Sequence, residues 1–251
     1  KISPYDPDRH VWIVEDGAHM IYKFTNDGER LVMSIGEFKV PGDNDDPARF
    51  NRPTDIAFFP NGDFVVSDGY VNSRMVKFDM NGNFLMDWGS YGSDIGQFNL
   101  PHTMQADREG NIYVGDRSNR RIQVFDSDGN FLRVLLMNVP YPVDYQPPYT
   151  AINPNRRLPD ATQPWSMCIT DSTPQEIWVS DNEPGRIYQM TLDGEIKGWL
   201  GSSGRGPGQF NWVHGLDCSQ MDEGILWVAD MNNWRVQKLL IQSRRITSDG
   251  S

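Results

Sequence analysis

The 251-residue sequence has few cysteines, a deficit of basic residues and no long apolar run. Its two cysteines cannot form a disulfide framework, and no Cys-x-x-Cys pair is present to bind a metal. Asp and Glu outnumber Lys and Arg by 34 to 23, and the resulting net charge of -11 disfavours nucleic acid or an anionic membrane as a partner. No stretch reaches the roughly 20 apolar residues that span a bilayer. We therefore expect no nucleic-acid or membrane partner, and we take the protein to be a monomer.

A repeated unit accounts for most of what is present. Each copy has a short apolar strand that ends in Asp, a polar turn, and a second strand with alternating apolar residues. Dipeptides such as Asn81-Gly82 and Asp128-Gly129 then favour tight hairpins. The Asp residues at the strand ends are Asp16, Asp68, Asp116, Asp181 and Asp230. Units of four strands, repeated about every 50 residues, predict an all-β fold of the β-propeller type.

The repeat predicts one propeller domain over residues 1–251, with five recognisable four-stranded blades. The blades cover approximately residues 1–37, 50–92, 98–137, 161–201 and 208–246. The pattern is broken by an acidic segment between Gly36 and Arg49 and by an insertion at 138–160 that is rich in Pro and Tyr. We interpret both as surface loops, and such loops often carry binding residues.

Residues that recur in the blades are interpreted as scaffold, and residues that depart from the repeat as candidates for function. One repeat position, after the strand-end Asp, holds Arg in four blades, and we expect this Arg to brace the turn. These scaffold residues are Arg74, Arg121, Arg186 and Arg235. The second residue of each inner strand varies instead, and in blades two to five it is Thr54, His102, Trp165 and His214.

His102 and His214 hold this variable position in alternate blades. Inner strands line the axis of a propeller, so we expect the two imidazoles to approach each other there. In a six-bladed ring, a third His from the first blade would complete a trigonal set. Three imidazoles with an open fourth position are typical of catalytic zinc. The repeat spacing places that third His upstream of Lys1, and His10 and His19 do not share the position.

Blade two has an extra residue between its strand-end Asp and its scaffold Arg. The spacing from Asp68 to Arg74 is six, whereas blades three to five have five. The longer turn carries Tyr70, and the next blade carries Arg117 directly after its own Asp. A cation beside a phenol lowers its pKa, so this pair predicts a Tyr general base assisted by an Arg.

The run Ser67-Asp68-Gly69-Tyr70-Val71-Asn72-Ser73-Arg74, with Pro101-His102 and Asp116-Arg117, resembles the NHL-repeat family and, within it, the peptidyl-α-hydroxyglycine α-amidating lyases. The resemblance implies a six-bladed propeller for the complete protein, relative to which this sequence is truncated at its N-terminus. It also implies zinc held by His102, His214 and a third His upstream of Lys1, with Tyr70 as base and Arg117 as assisting cation. The family associates calcium with a Pro-His-Asp segment, and Val213-His214-Gly215 departs from it, so calcium has little support.

Such an enzyme is a carbon–nitrogen lyase. It cleaves the N–C bond of a peptidyl-α-hydroxyglycine to give a peptide amide and glyoxylate. The resemblance thus implies a small peptide or another α-hydroxyglycine compound as substrate, and a secreted or extracytoplasmic location.

Two other interpretations stay open. The chain could be a non-catalytic NHL propeller that binds a protein or peptide on its loop face. It could also be a propeller lactonase or hydrolase whose metal is held by carboxylates, with Asp55, Asp171 and Asp217 near the inner strands. Cys168 and Cys218 fall at similar positions of adjacent inner strands, and we expect both to be buried free thiols.

Overall fold

The computed structural model describes residues 1–140, 162–181 and 185–241, so residues 141–160 of the predicted insertion lie outside the described residues. Three short 3-10 helices are present in the described chain, Arg117–Asn119, Met221–Glu223 and Met231–Asn233. The strands, in chain order, are β1 (Val11–Glu15), β2 (Met20–Phe24), β3 (Leu31–Ile35), β4 (Pro53–Phe58), β5 (Phe64–Asp68), β6 (Arg74–Phe78), β7 (Phe84–Trp88), β8 (Ser90–Tyr91), β9 (Gln97–Phe98), β10 (Pro101–Ala106), β11 (Ile112–Asp116), β12 (Arg121–Phe125), β13 (Phe131–Leu135), β14 (Pro164–Ile169), β15 (Glu176–Asp181), β16 (Ile187–Thr191), β17 (Ile196–Leu200), β18 (Ser202–Ser203), β19 (Gln209–Phe210), β20 (Val213–Asp217), β21 (Ile225–Asp230) and β22 (Arg235–Leu240). In this described part, no helix is long and apolar enough to cross a membrane.

These strands form five antiparallel sheets that follow one another along the chain, which confirms the predicted all-β propeller arrangement. Blades two, three and four are the four-stranded meanders β4–β7, β10–β13 and β14–β17. Blade one (β1–β3) and blade five (β20–β22) have three strands each among the described residues. The short parallel pairs β8 with β9 and β18 with β19 lie in the links that lead into blades three and five.

An Asp closes the outer hairpin of blade two. Asp79 accepts the backbone N–H groups of Asn81 and Asn83, and Gly82 takes a φ of +84°. The equivalent hairpin of blade three has Gly129 at a φ of +77°. A left-handed residue at the end of such a turn matches the twist of the two strands, which is why the Gly dipeptides mark the hairpins in the sequence.

The apolar core is divided among the interfaces between neighbouring blades. One cluster joins blades one and two around Trp12, Phe64 and Phe78, and others join blades two and three, three and four, and four and five. No such cluster joins blades five and one in the described chain. The free faces of these two blades keep exposed apolar side chains, among them Ile13 and Val236.

Cys168 and Cys218 form a disulfide, so the prediction of two free thiols is wrong. Cys168 lies in β14 of blade four, and Cys218 directly follows β20 of blade five. Their Cα atoms are 6.0 Å apart, within the range that a disulfide requires. The two inner strands are neighbours, and their packing joins residues that are 50 positions apart in sequence. The disulfide therefore ties blade four to blade five covalently.

The acidic segment between blades one and two acts as a regular blade link despite its unusual sequence. In the link before blade three, the N–H of Gly92 bonds to the carbonyl of Phe98 at 3.1 Å. In the acidic segment, the N–H of Gly42 makes the equivalent bond to Phe50 at 3.0 Å. The backbone geometry at the entrance to blade two is therefore that of the repeat, although the sequence pattern is lost.

The strand-end Asp of blade two is buried and organises its turn. Asp68 accepts hydrogen bonds from the Asn51 N–H, the Asn72 side-chain amide and the Arg74 guanidinium. Burial raises the pKa of Asp68, and these donors oppose the rise. Equivalent pairs join Arg121 to Asp116 and Arg235 to Asp230. Arg186, the scaffold Arg of blade four, donates to the Pro140 carbonyl.

Candidate functional site

A β-bulge lies at the variable position of each described inner strand. In β10, the pairing with β11 shifts register between Pro101 and Thr103, and the same irregularity follows the first residue of β4, β14 and β20. A bulge re-aims the side chain that it inserts, and bulges are frequent beside active sites. The residues at these bulges include Thr54, His102, Trp165 and His214.

His102 is buried at the centre of the candidate site. Its Nδ1 lies 2.7 Å from the Trp165 carbonyl oxygen, which can only accept, so Nδ1 carries the proton. Nε2 is left as an acceptor and receives the Tyr70 hydroxyl at 3.1 Å. Burial lowers the pKa of His102 to about 4, with a further contribution from the Arg117 charge. His102 is therefore a neutral imidazole with a fixed tautomer at neutral pH.

His214 reaches the same place from blade five. Its ring centre is 5.1 Å from that of His102, in an edge-on arrangement. His214 keeps an exposed surface, yet partial desolvation lowers its pKa, and the Arg117 charge adds to this. The structure thus brings together the two histidines that the sequence singled out.

The other histidines of the chain serve elsewhere. His10 is bonded to the Asp6 carboxylate at 2.7 Å, and His19 Nδ1 accepts the Arg52 backbone N–H at 3.0 Å. The backbone of Lys1 pairs with that of Trp12, and the equivalent pair in blade two is Ala57 with Val65. Because Ala57 lies three residues beyond the bulge of its strand, Lys1 holds that same position in blade one. The third His expected upstream of Lys1 stays a prediction.

The extra residue of the blade-two turn is Gly69, and it lets Tyr70 reach His102. The Tyr70 N–H bonds to the carbonyl of the residue before the inner strand, as the Arg117 N–H does in blade three. The inserted residue therefore precedes Tyr70. A Cβ atom on Gly69 would lie 1.9 Å from the Pro101 carbonyl oxygen, so only Gly fits this close approach to the next blade.

The expected lowering of the Tyr70 pKa is not the net effect in the structure. Burial raises the pKa of the phenol and outweighs the opposing charges of Arg117 and Arg52, while Asp16 adds to the rise. Tyr70 is therefore a neutral phenol at pH 7 in this environment, and its hydroxyl donates to His102.

Arg117 extends over the Trp165 ring, with its guanidinium carbon 4.1 Å from the ring centre. Among the described residues, the titratable group that acts on this half-buried side chain is Tyr70, and no carboxylate pairs with Arg117. Burial lowers the pKa of Arg117, and Tyr70 acts in the opposite direction. A cation that lacks a counter-ion beside a neutral imidazole pair is suited to bind a carboxylate ligand.

Strand pairing corrects the register of blade one. Glu15 lies opposite Met20, the pairing that the strand-end Asp and the scaffold Arg make in other blades. Asp16 is therefore not the strand-end residue that the sequence suggested, an error made easy by two adjacent acidic residues. Asp16 holds the position directly after the strand-end residue, which Arg117 holds in blade three.

This shift frees Asp16 for a contact that the sequence analysis missed. Arg52 Nε donates to Asp16 at 3.0 Å, and both side chains are partly exposed. The Arg52 guanidinium lies 4.9 Å from the Tyr70 ring centre. Blade one thus contributes a carboxylate that holds a cation of blade two against the phenol.

A pair of tryptophans adjoins these charged groups, and neither was predicted as a site residue. Trp165 is buried, and its ring centre is 5.2 Å from His102 and 5.4 Å from Trp212. Trp212 is half-buried and precedes β20, with a φ of +63°. We call Tyr70, Arg117 and Arg52 the polar wall, and Trp165 and Trp212 the aromatic wall.

The carboxylates proposed for a hydrolase metal are not brought together. Asp55 binds the Lys1 ammonium at 2.7 Å and accepts the Met104 N–H at 2.8 Å. In the described chain, one cluster offers three potential metal ligands, and Asp55, Asp171 and Asp217 are not in it. The structure thus gives the hydrolase interpretation no carboxylate site.

Comparison with known proteins agrees with the repeats and with the resemblance. The NHL repeat profile matches residues 50–78 and 98–125. A probable peptidyl-α-hydroxyglycine α-amidating lyase of Caenorhabditis elegans is 37% identical over 125 residues, which cover 49% of this chain and 35% of that protein. Peptidyl-α-hydroxyglycine α-amidating lyase 1 of Drosophila melanogaster is 24% identical over 253 residues, covering 95% and 44%. The human NHL repeat-containing protein 3 is 33% identical over 129 residues, covering 48% and 36%.

The chain is a β-propeller that contains NHL repeats. It is similar to proteins named as peptidyl-α-hydroxyglycine α-amidating lyases, as the sequence predicted. It spans less than half the length of each of these relatives.

Proposed function

We propose that the protein is a zinc-dependent lyase that cleaves the N–C bond of an α-hydroxyglycine compound, releasing an amide and glyoxylate. The observation that carries this proposal is the contact between the Tyr70 hydroxyl and His102 Nε2 at 3.1 Å, beside His214 and beside Arg117, which lies over the Trp165 ring. A proton acceptor, two imidazoles and a carboxylate-binding cation are the groups that this reaction needs in one place.

The residues present fit zinc. Metal-bound His usually donates its second ring N–H to a carbonyl or carboxylate, and His102 does so to Trp165. Both imidazoles are neutral at pH 7, as metal ligands must be. His102 would hold the ion through Nε2, in place of its hydrogen bond to Tyr70, and His214 would hold it as well, with a further His upstream of Lys1 as the expected third ligand. Zinc would supply positive charge that polarises the substrate hydroxyl.

Tyr70 and Arg117 take complementary roles in the proposed reaction. Arg117 binds the substrate carboxylate and so places the hydroxyl carbon near Tyr70. Tyr70 first loses its own proton to solvent, and the phenolate then removes the hydroxyl proton. The C–O bond becomes a carbonyl as the C–N bond breaks. The amide nitrogen then receives a proton, which Tyr70 can return, so atoms and charge balance.

The test is release of glyoxylate and benzamide from α-hydroxyhippurate by the full-length protein. Protein stripped with a chelator should be inactive, and stoichiometric zinc should restore equal amounts of both products. Zinc affinity, measured by calorimetry, should fall on substitution His102→Ala. Activity that is unchanged by stripping, or no product from zinc-loaded protein, would overturn the proposal.

The runner-up function is a non-catalytic propeller that binds a protein or peptide on its loop face. It is favoured by the similarity to the human NHL repeat-containing protein and by the almost fully exposed Trp234 on a blade-five turn. A zinc-loaded protein that neither binds nor turns over α-hydroxyglycine compounds would favour this function.

An extracytoplasmic location is part of the proposal. The buried Cys168–Cys218 disulfide supports it, because disulfides persist mainly in oxidising compartments. Fractionation of cells that produce the full-length protein, followed by thiol labelling, tests this. We expect no labelling of the exported protein before reduction.

A further inference from the structure

Four blades place different side chains at the same two backbone positions around the site. One position is the bulge of the inner strand, and the other is the residue that directly precedes that strand. In blade two this preceding residue is Arg52, in blade three Leu100 and in blade five Trp212. All three have a φ between +62° and +63°, a conformation that is uncommon for residues other than Gly. Such strain often occurs where a protein fixes a functional side chain.

The two walls differ in charge. The polar wall offers the guanidinium groups of Arg117 and Arg52 together with the Tyr70 hydroxyl. The aromatic wall begins at the Trp165 ring under Arg117 and continues to Trp212, with the two ring centres 5.4 Å apart and the rings inclined at 42°. The Arg117 guanidinium lies over Trp165, with its carbon 4.1 Å from the ring centre, and the His214 ring is 6.5 Å from Trp165 on the blade-five side. A ligand whose carboxylate binds Arg117 therefore lies next to the aromatic surface that runs from Trp165 to Trp212.

Blade five continues the apolar surface outward. The Met231 N–H bonds to the Trp212 carbonyl at 3.0 Å, and Met231 thus holds the position that Arg117 holds in blade three. Met231 is 41% exposed, so this rim position presents a thioether where blade three presents a guanidinium. Met231 carries no charge, so this rim position next to Trp212 is apolar.

We infer that Trp212, together with Trp165, forms a subsite for an aromatic acyl group or side chain attached to the hydroxyglycine nitrogen. The inference rests on the proposed lyase function and names its substrate class: α-hydroxyglycine compounds whose N-acyl part carries an aromatic ring. With the carboxylate at Arg117 and the reacting carbon near Tyr70 and His102, the acyl group extends toward Trp212. Aromatic rings bind to aromatic side chains more tightly than area alone accounts for.

The experiment compares two inert analogues that share a carboxylate and lack the hydroxyl. Hippurate carries a phenyl ring and N-acetylglycine carries a methyl group. Their dissociation constants are measured by calorimetry on stripped and on zinc-loaded protein. We expect the wild type to bind hippurate roughly tenfold or more tightly than N-acetylglycine, a discrimination typical of an apolar pocket.

Three variants decide whether Trp212 causes the preference. Trp212→Ala should bring the ratio of the two dissociation constants close to one, and Trp212→Phe should restore most of it. Trp199→Ala is the matched control, because Trp199 lies half-exposed in the outer strand β17, and it should keep the wild-type ratio. No preference in the wild type, or a preference that survives Trp212→Ala, would overturn the inference.

The two proposals fail separately. Turnover of α-hydroxyhippurate without preferential hippurate binding would leave the lyase function and remove the subsite. Hippurate binding that depends on Trp212, without any turnover of α-hydroxyhippurate, would support the subsite and remove the lyase function.

Discussion

The polar wall and the aromatic wall share one backbone position of the repeat, the residue before the inner strand, yet they have opposite chemical character there. His102 and Trp165 both lie at bulges, and Arg52 and Trp212 both precede an inner strand in the left-handed conformation. Blade two has Arg52 where blade five has Trp212, and blade three has His102 where blade four has Trp165. Tyr70 and Arg117 lie instead on the turns that follow the strand-end Asp of blades two and three. The repeat thus fixes where a side chain stands, and the departures from the repeat determine what it can do.

The two walls also differ in how they are held. The polar wall depends on hydrogen bonds and on an ion pair that reaches into blade one, from Arg52 to Asp16. The aromatic wall lies on blades that share a disulfide and a buried apolar cluster. Substitutions on the polar wall should therefore act mainly on chemistry, and substitutions behind the aromatic wall mainly on stability.

The largest expected effect is that of Tyr70→Phe. Removing the hydroxyl takes away the proposed base, so kcat for α-hydroxyhippurate should fall by roughly 100-fold to 10,000-fold. The circular dichroism spectrum and the unfolding midpoint should stay close to the wild type. Tyr91→Phe, at an exposed tyrosine, is the control. A Tyr70→Phe enzyme with wild-type kcat would remove Tyr70 from the mechanism.

Breaking the disulfide should have the largest effect on stability. Cys168→Ser should lower the free energy of unfolding by about 4 kcal/mol, because the link closes a loop of 50 residues. Urea unfolding with and without dithiothreitol measures this. Reduction should destabilise the wild type and leave Cys168→Ser unchanged. Equal stability of the reduced and oxidised wild type would show that the link contributes nothing.

His102 bridges the two walls, and its lowered pKa makes stability depend on pH. The folded-state pKa is about 4 and the ordinary value is about 6.5, so the unfolded chain takes up the proton first as pH falls. The contribution of the neutral His102 is full above pH 6.5 and decreases toward pH 4. In zinc-stripped protein, the stability difference between wild type and His102→Gln should shrink by about 3 kcal/mol between pH 7 and pH 4. A difference that is constant with pH would contradict this.

Gly69→Ala should displace the turn of the polar wall. The new methyl group would overlap the Pro101 carbonyl, so stability should fall by about 1–3 kcal/mol and lyase activity should fall with it. Gly198→Ala is the matched control, because a Cβ atom at that residue has no neighbour within 4 Å. Calorimetric melting and the glyoxylate assay measure both effects. Wild-type behaviour of Gly69→Ala would mean that the close approach is not needed.

The smallest expected effect is that of Asp16→Asn. The ion pair with Arg52 is partly exposed, so its loss should cost less than about 1 kcal/mol of stability. Arg52 should then become more mobile beside Tyr70, which raises KM more than it lowers kcat. Asp193→Asn, at an exposed carboxylate, is the control and should change neither the stability nor the kinetic constants. A large loss of stability in Asp16→Asn would show that the pair is structural.

The sequence predicted the propeller and the main candidate residues because both follow from the repeat. Asn81-Gly82 marked a hairpin through the φ that its Gly adopts, and His102 and Tyr70 were visible because they break a fixed pattern. The acidic link between blades one and two was read as a loop, since the backbone bond from Gly42 to Phe50 leaves no repeat signature in the sequence.

Contacts between blades could not be predicted in the same way. The disulfide depends on the 6.0 Å separation of two Cα atoms on different sheets, and the spacing of Cys168 and Cys218 in sequence does not determine that distance. The Arg52–Asp16 pair depends on the register of blade one, where Glu15 and Asp16 offered two alignments. The net rise of the Tyr70 pKa depends on burial, which sequence spacing does not reveal.

The division of the core into clusters between successive blades has a consequence for local opening. Blade three is packed on both faces, whereas blade one is packed against blade two alone in the described chain. Blade five is also packed on one face, but the disulfide prevents it from separating freely from blade four. Amide hydrogens should therefore exchange with solvent fastest in blade one and slowest in blade three, because opening spreads inward from the least tethered end. Since Asp16 belongs to blade one, its ion pair with Arg52 would be the first contact of the site to break when blade one opens locally.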